Sequence, residues 1–536
     1  MKIVMSLLQN SSGVRARQLP LSIFKGISWS RPRLAGSSRI RVIVLQVALA
    51  TVLTLISITI PAMASTQQHA SVLPIVQIKT TFQKDNPYYP WQKQQPGTRA
   101  GFGVVIDDSH ILTTENLVRN HTLIEIQLPH SGKNITATLV KSDYQVNLAL
   151  LHIENNLDLK NIVTPLLAKQ INLKSTVSII QIDETKGIQR GDGHIVKALV
   201  ESLPNAASGI LQYDILTDLN VTGEGAPVFI NNKLAGIMIS YRSGSRTGKM
   251  IPATFITRFI NDVMSESYNG FASAGFRWSP LVDPTKRKYL GVDTADNGIQ
   301  ILSCLPGTGA AKNLKPNDVI LTWDGILIDN LGFYIDENYG RVLFSHLIKG
   351  FRSPNDIITA TIVRDRKVQQ IQITLARRNE STDLIPENSM GLPSEYIVTG
   401  GLIIQELTGQ MLHAYGPKWQ SRVNPRLAHL YLTKQQNPDK PGDRIVLLTS
   451  VLDDPINIGY QDFRNKIIKK VNGKPICNIS DVFDIIKTDG NIKTISLQSI
   501  GVDIVLDQNE LDSANHRIAV QYRIPELQRK IETSDL

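Results

Sequence analysis

The sequence V-T-G-E-G-A-P-V at residues 221–228, together with F-I-N-N-K-L-A-G-I at residues 229–237, decides the fold of this chain. The second stretch is an apolar run, a polar turn at Asn231-Asn232 and another apolar run, a pattern that predicts a tight β-hairpin. The glycine-containing loop before it holds one ionisable residue, Glu224. The sequence therefore predicts a hairpin preceded by a loop that carries a single carboxylate.

Short segments of similar character surround this hairpin. From about residue 72 to 265 the chain consists of brief apolar or alternating stretches separated by turn residues, as at 103–106, 124–128, 147–153 and 177–182. Many short strands at this spacing predict an all-β barrel or sandwich. The length of 536 residues leaves room for about three or four domains in total.

The basic charge of the chain is concentrated at its N-terminus. The formal charge is +10, from 57 lysines and arginines against 47 aspartates and glutamates. Residues 1–64 hold eight of the basic residues and none of the acidic ones, which leaves 49 against 47 in residues 65–536. A net charge this close to zero over residues 65–536 provides no general attraction for the phosphates of nucleic acid, so we expect no nucleic-acid partner.

The N-terminal segment has the layout of an export signal. A basic stretch ends at Arg41, an apolar run follows over residues 42–60, and Pro61-Ala62-Met63-Ala64 supplies a small-x-small cleavage pattern. We expect residues 1–64 to be a signal peptide and the protein to be exported to the periplasm or cell envelope. The apolar run is also long enough to span a bilayer, so an uncleaved N-terminal membrane anchor is the alternative.

Two later regions share one order of elements. The first combines a Leu305-Pro306-Gly307 turn, a Lys315-Pro316 turn and an Asp324-Gly325 hairpin, and it includes helical spacing at Val342, Leu343, Leu347 and Ile348. The second repeats that order in weaker form, with Asn472-Gly473 at the place of Asp324-Gly325 and a predicted helix over 479–486 capped at Ser480.

Taken in order, these motifs resemble the HtrA/Deg serine proteases, closest to the plant-type Deg branch. Further similar features are Pro90-Trp91-Gln92, Phe276-Arg277-Trp278 and the sequence N-I-G-Y at 457–460. The resemblance implies a mostly β fold: a chymotrypsin-like double β-barrel followed by two α+β PDZ domains. The implied boundaries are 65–268 for a degenerate trypsin-like protease domain, 269–378 for the first PDZ domain, 379–394 for a linker, 395–527 for a divergent second PDZ domain and 528–536 for a C-terminal tail.

The resemblance also identifies three positions at which the catalytic residues of the family are replaced. The family loop G-N-S-G-G-P corresponds to T-G-E-G-A-P here, with Glu224 at the serine position. An alternative alignment places a gap at the serine position, and under it the loop also contains no serine. The histidine position is Asn116 and the aspartate position is Asn147. Because an amide cannot take a proton near neutral pH, we expect a degenerate triad and no catalytic residue.

A working serine endopeptidase with a non-standard active site is the alternative. His110 and His121 flank Asn116, and Ser208 and Ser240 lie within the predicted barrel. Such a site requires a serine and a histidine within hydrogen-bond reach of each other.

Peptide binding is the family activity that we expect to remain once the catalytic residues are replaced. A PDZ domain adds an extended segment to a sheet edge and holds its C-terminal carboxylate on backbone N–H groups. The loop that supplies these N–H groups is expected at Lys288, Tyr289, Leu290, Gly291 and Val292. Leu290 and Val292 are expected to wall an apolar pocket, Gly291 to allow close approach, and Lys288 to add positive charge.

The sequence thus predicts an exported pseudoprotease that binds unfolded or C-terminal polypeptides as a scaffold, chaperone or regulator in envelope protein quality control. An active HtrA/Deg relative is a candidate partner. The resemblance implies trimer-based homo-oligomers formed through the N-terminal segment, where Phe82 to Trp91 is rich in aromatic residues. An assembly component without peptide binding is a third interpretation. We expect no cofactor and no metal, since the chain has no C-x-x-C motif and no cluster of His and Cys.

Overall fold

The computed structural model describes residues 73–531, apart from gaps at 129–131, 155–158, 160–161, 184, 186, 204–207, 293–295, 389–392 and 499–500. The predicted signal peptide or membrane anchor, residues 1–64, lies outside the described residues. Within the described part of the chain, no helix has the length and apolar character needed to cross a bilayer.

A seven-stranded antiparallel sheet begins the described chain. Its strands are β1 (Ile75–Phe82), β2 (Gly97–Val105), β3 (His110–Thr113), β4 (His121–Gln127), β5 (Asn134–Thr136), β6 (Thr138–Asp143) and β7 (Leu148–His152), with helix α1 (Glu115–Val118) after β3. They lie in the order β5-β4-β1-β2-β3-β7-β6. Buried Ile124 and Ile126 alternate with the partly exposed Glu125, because successive side chains of a strand point to opposite faces.

A closed six-stranded barrel follows. It is formed by β8 (Thr176–Ile182), β9 (Ile188–Glu201), β10 (Ile210–Thr217), β11 (Pro227–Ile230), β12 (Lys233–Arg242) and β13 (Thr247–Pro252), and helix α2 (Ala253–Val263) leaves it. The predicted hairpin is confirmed as β11 and β12. Asn231 and Asn232 both have positive φ, 49° and 61°, as a two-residue hairpin turn requires. The predicted mostly β fold with a double-barrel-like core is confirmed.

The next region contains a second sheet system. Its strands are β14 (Ala272–Ser273), β15 (Phe276–Ser279), β16 (Ile299–Cys304), β17 (Val319–Trp323), β18 (Ile326–Leu327), β19 (Phe333–Asp336), β20 (Gly340–Leu343), β21 (Ile357–Arg364), β22 (Lys367–Thr374) and β23 (Ala376–Arg377). Its helices are α3 (Pro284–Leu290), α4 (Gly309–Asn313) and α5 (Ser345–Lys349). The main sheet runs β15-β16-β17-β21-β22, so β15 is an edge strand.

One prediction for this region is wrong in part. The helical spacing that includes Val342 and Leu343 belongs to strand β20, and only Leu347 and Ile348 lie in helix α5. The β19–β20 hairpin takes the first two residues because Phe333 pairs with Leu343 and Tyr334 with Val342.

The last region is an eight-stranded sheet with four helices. Its strands are β24 (Tyr396–Thr399), β25 (Leu402–Glu406), β26 (Val446–Val451), β27 (Lys466–Val471), β28 (Lys474–Pro475), β29 (Thr494–Leu497), β30 (Asp503–Val505) and β31 (Gln528–Arg529). Its helices are α6 (Gly409–His413), α7 (Pro425–Lys434), α8 (Ile479–Asp489) and α9 (Leu511–Gln521). The strand order is β30-β29-β27-β26-β25-β24-β31, with β28 paired to β27.

Two sequence predictions for the last region need correction. Helix α8 is capped by Asn478 rather than Ser480, because the Asn478 side chain accepts the backbone N–H of Asp481 at 3.1 Å. The C-terminal tail predicted from residue 528 begins inside the sheet, since Gln528 pairs with Ile397 and covers the outer edge of β24.

The aromatic N-terminal segment lies against this last sheet. Tyr88 donates its hydroxyl to the Met411 carbonyl at 2.9 Å. The Trp91 ring lies 5.8 Å from the Tyr89 ring and 6.0 Å from the Tyr396 ring, measured between centroids. The rings expected at an oligomer contact are therefore engaged within the chain, and trimer formation stays a prediction.

Candidate functional site

The three side chains predicted at the degenerate triad positions meet at one place. Asn116 lies in α1, Asn147 directly precedes β7, and Glu224 lies in the loop before β11. The Asn116 side-chain nitrogen Nδ2 donates to Glu224 Oε1 at 2.7 Å, and the Asn116 backbone N–H donates to Asn147 Oδ1 at 2.8 Å. Asn116 therefore bridges the other two residues, across the junction of the first sheet and the closed barrel.

Backbone contacts hold the Glu224 loop against the first sheet. The Glu224 carbonyl accepts the Phe102 N–H at 2.8 Å, and Gly225 has a φ of +84°. A Cβ atom on Gly225 would lie 1.9 Å from the Phe102 carbonyl oxygen, so only glycine fits there. Asn147 also has positive φ, 52°, a conformation that asparagine tolerates better than most residues.

The Glu224 carboxylate is partly buried and fully engaged by donors. Its second oxygen, Oε2, accepts the Thr114 hydroxyl at 3.0 Å. The nearby Arg99 guanidinium donates to the Asn116 carbonyl at 2.6 Å. Burial raises the pKa of Glu224 above its usual value, while the hydrogen bonds from Asn116 and Thr114 and the charge of Arg99 act in the opposite direction.

These groups can hold a carboxylate but do not form a proton relay. The network contains no imidazole, and the amide of Asn116 donates to Glu224 instead of accepting a proton. Its one hydroxyl, on Thr114, belongs to a residue with no exposed surface, which keeps it away from a substrate. A serine-protease mechanism requires an accessible nucleophile and a base beside it.

The histidines and serines of the alternative active site contact other groups. His110 Nδ1 lies 2.8 Å from Asp107 Oδ2 and 3.2 Å from Ser109 Oγ, so acid and hydroxyl share one ring nitrogen, whereas a relay needs them on opposite nitrogens. His121 Nδ1 bonds the Val118 carbonyl at 3.0 Å. In the described chain no hydrogen bond joins either histidine to Ser208 or Ser240.

The segment Lys288 to Val292 has a geometry different from the expected strand-edge loop. It is the C-terminal end of helix α3, capped by Gly291 with a φ of +83°. The Gly291 and Val292 N–H groups donate to the Lys288 and Arg287 carbonyls at 3.2 and 3.0 Å, so the helix end uses the donors expected for a peptide carboxylate. Tyr289 is 72% exposed and Leu290 is half-buried.

The helix forms here because its start is well specified. The Asp283 side chain caps it by accepting the Thr285 N–H at 2.8 Å, and Pro284 occupies the first helical position.

Known proteins resemble this chain over most of its length. A model of the PDZ domain family matches residues 385–529. Protease Do-like 2, chloroplastic, from Arabidopsis thaliana is 25% identical over 465 residues, which cover 84% of this chain and 74% of that protein. Putative protease Do-like 13 from the same plant is 27% identical over 465 residues, 84% of this chain and 87% of that protein. The chain is homologous to the HtrA/Deg serine proteases. Among solved structures, the HtrA-type protease AlgW with decapeptide is 19% identical, with a TM-score of 0.45 over 58% of this chain and 97% of that one.

A groove in this HtrA/Deg homologue was not identified from its sequence. It has a volume of about 250 Å³ and lies between edge strand β15 and helix α5. Its apolar lining comes from Phe276, Trp278, Leu305, Phe344 and Ile348. The motif Phe276-Arg277-Trp278 was the available signal, but the groove exists only once β15 and α5 have come together.

Helix α5 is fastened to the barrel of the HtrA/Deg homologue by a buried lysine. Lys349, 1% exposed, donates from Nζ to the Ser208 carbonyl at 3.0 Å and the Gln145 carbonyl at 3.4 Å. Burial lowers the pKa of Lys349 to about 8. Gln145 lies two residues before Asn147, so one loop of the first sheet, between β6 and β7, supports both the groove helix and the predicted triad position.

We expect Asn116→Ala to destabilise the protein by about 2 kcal/mol, because the change removes a donor from a partly buried carboxylate. Urea unfolding at pH 7 measures this loss.

Asn261→Ala is the matched control, since Asn261 is an exposed residue on helix α2. Its effect is expected to stay within about 0.5 kcal/mol. Equal unfolding free energies for the two variants would show that the Asn116–Glu224 bond contributes nothing to stability.

Proposed function

We propose that this HtrA/Deg homologue is catalytically inactive and binds polypeptides, serving as a scaffold, a chaperone or a regulator of an active relative in envelope protein quality control. The observation that carries the proposal is the hydrogen bond from Asn116 to Glu224. Asn116 aligns with the family histidine and Glu224 with the family serine, and the amide donates to the carboxylate. This pair contains neither a hydroxyl nucleophile nor an imidazole base.

Asn147 supports the same interpretation. A family aspartate holds the catalytic imidazole in one tautomer and stabilises its charged form. The Asn147 side chain instead accepts the Asn116 backbone N–H, and as a neutral amide it offers no charge to an imidazolium. All three replacements thus contribute to one hydrogen-bonded structure that stabilises the loop.

The groove beside β15 is the peptide-binding site that we favour. Peptides bind PDZ domains by adding a strand to a sheet edge next to an apolar pocket. Strand β15 is at the edge of its sheet and has the aromatic groove at its side. In the last sheet, the strand at the corresponding place is β25, and its outer edge is covered by β24. We therefore assign binding to the first PDZ region, at this groove rather than at Lys288 to Val292.

The cellular setting follows from the sequence. The basic and apolar leader supports export to the periplasm or cell envelope, with a membrane anchor as the alternative. Homo-oligomers based on trimers are implied by the resemblance to HtrA/Deg proteins. Both statements form part of the proposal.

Fluorophosphonate labelling tests the loss of catalysis. We expect no covalent label on the wild-type protein or on Glu224→Ser, because Asn116 provides no base for the new serine. The triple variant Asn116→His, Asn147→Asp, Glu224→Ser is expected to acquire the label at a rate at least about 100-fold above the detection limit that Glu224→Ser does not reach, as a positioned general base contributes that much. A label on the wild-type protein, read by intact mass, refutes the proposal.

Peptide binding tests the groove. Trp278→Ala is expected to weaken binding of an unfolded polypeptide at least about tenfold, because it removes an aromatic wall of the groove. Fluorescence anisotropy with labelled, reduced and alkylated casein measures the affinity. Phe351→Ala, which removes a 60% exposed ring of the same region outside the groove lining, is the control and should bind as the wild type does. Unchanged binding by Trp278→Ala would place the site elsewhere.

A further inference from the structure

A second groove lies at the opposite end of the same sheet system, where the β21–β22 turn meets helix α3. Its volume is about 450 Å³, and its lining includes Tyr289, Lys315, Arg364 and Arg366. Arg366 Nε donates to the Tyr289 carbonyl at 3.3 Å, which joins the turn to the helix. We call this surface, with the exposed residues next to it, the basic groove.

The basic groove concentrates the positive charge of the body of the protein. Six exposed cations lie on three elements: helix α3, helix α4 with the turn that follows it, and the tip of the β21–β22 hairpin. Two exposed carboxylates, Asp283 and Asp365, lie beside them in the sequence. The cations are Lys286, Lys288, Lys312, Lys315, Arg366 and Lys367. Arg364 is neutralised by Asp318 at 2.6 Å. Among the described residues of these elements the excess is four positive charges, whereas residues 65–536 as a whole have an excess of two.

The six cations have no acidic partner among the ion pairs of the described residues. In the described part of the chain, the ion pairs of this region join Arg364 with Asp318 and Arg352 with Asp324, and none of the six takes part in one. Like charges held this close on a folded surface repel one another, and an anionic partner removes that repulsion.

Exposed apolar side chains accompany the cations. Val282 is 56% exposed, Tyr289 is 72% exposed and Val368 is 67% exposed. An aromatic residue and aliphatic residues among lysines match the composition of surfaces that lie in the interface of a bilayer, where basic groups meet headgroups and apolar groups enter the acyl boundary.

We propose that the basic groove docks the protein on an anionic membrane surface. Separate lipid headgroups can each pair with one cation, even when the cations are spread over three elements, because each headgroup moves independently. An acidic polypeptide bound by strand addition would lie along edge strand β22, which carries only one of the six cations, Lys367. The other five lie on helices α3 and α4 and in the adjoining turns. Docking here leaves the groove between β15 and α5 separate, since the two share no lining residue.

Vesicle sedimentation tests the proposal on residues 71–536, which form a compact unit without the basic leader. We expect binding to vesicles of phosphatidylglycerol and phosphatidylcholine, no binding to phosphatidylcholine alone, and loss of binding at high salt. The variant Lys288→Gln, Lys315→Gln, Arg366→Gln should bind the anionic vesicles about 100-fold more weakly, since each basic residue near the surface contributes about fivefold.

The matched control removes the same charge elsewhere. Lys469→Gln, Lys470→Gln, Lys487→Gln changes three exposed lysines of the last sheet region and should bind like the parent protein. Equal weakening of both triple variants, or no sedimentation with anionic vesicles, would overturn the proposal. A groove-dependent preference for polyglutamate over anionic vesicles would also overturn it, in favour of an acidic polypeptide. Thermal unfolding followed by circular dichroism confirms that each variant is folded.

Discussion

The hydrogen bond between Asn116 and Glu224 joins the first sheet to the closed barrel at the place where the predicted triad positions meet. A carboxylate removed from water is costly unless donors replace the lost solvent. Asn116 and Thr114 supply those donors from the first sheet, while Glu224 comes from the closed barrel. The backbone carbonyl of Glu224 also accepts the Phe102 N–H. The carboxylate therefore has its donors only when the first sheet and the closed barrel are assembled.

The support continues from this junction to the second sheet system, which begins at β14. Asn147 follows Asp143 and Gln145 in one loop, and each of these two residues contacts a later part of the chain. Asp143 accepts the Tyr268 hydroxyl at 2.6 Å, and the Gln145 carbonyl accepts the buried amine of Lys349. The loop between β6 and β7 of the first sheet therefore positions helix α5, which forms one wall of the apolar groove. These contacts give the protease-like region a structural role that does not depend on catalysis.

Local sequence signals predicted much of the fold. The turns Asn231-Asn232, Asp324-Gly325 and Asn472-Gly473 all contain positive φ values, which these residue types favour, and each forms the expected hairpin. The motifs around Asn116, Asn147 and Glu224 have recognisable spacing, which predicts the three triad positions, and the structure brings these residues together. Helix α3 differs from the expectation although Asp283-Pro284 is a good helix start, because the resemblance places a carboxylate-binding loop at Lys288 to Val292. The groove at Trp278 and the pairing of Gln528 with Ile397 depend on tertiary contacts that no local pattern encodes.

Digestion of an unfolded substrate tests the central claim most directly. The wild-type protein is incubated with reduced and alkylated casein at concentrations at which the two are bound, and new peptide termini are counted by mass spectrometry over hours. The account predicts a stable complex and no termini beyond those of casein alone. Time-dependent new termini, produced in proportion to the amount of protein and blocked by a fluorophosphonate, would contradict it.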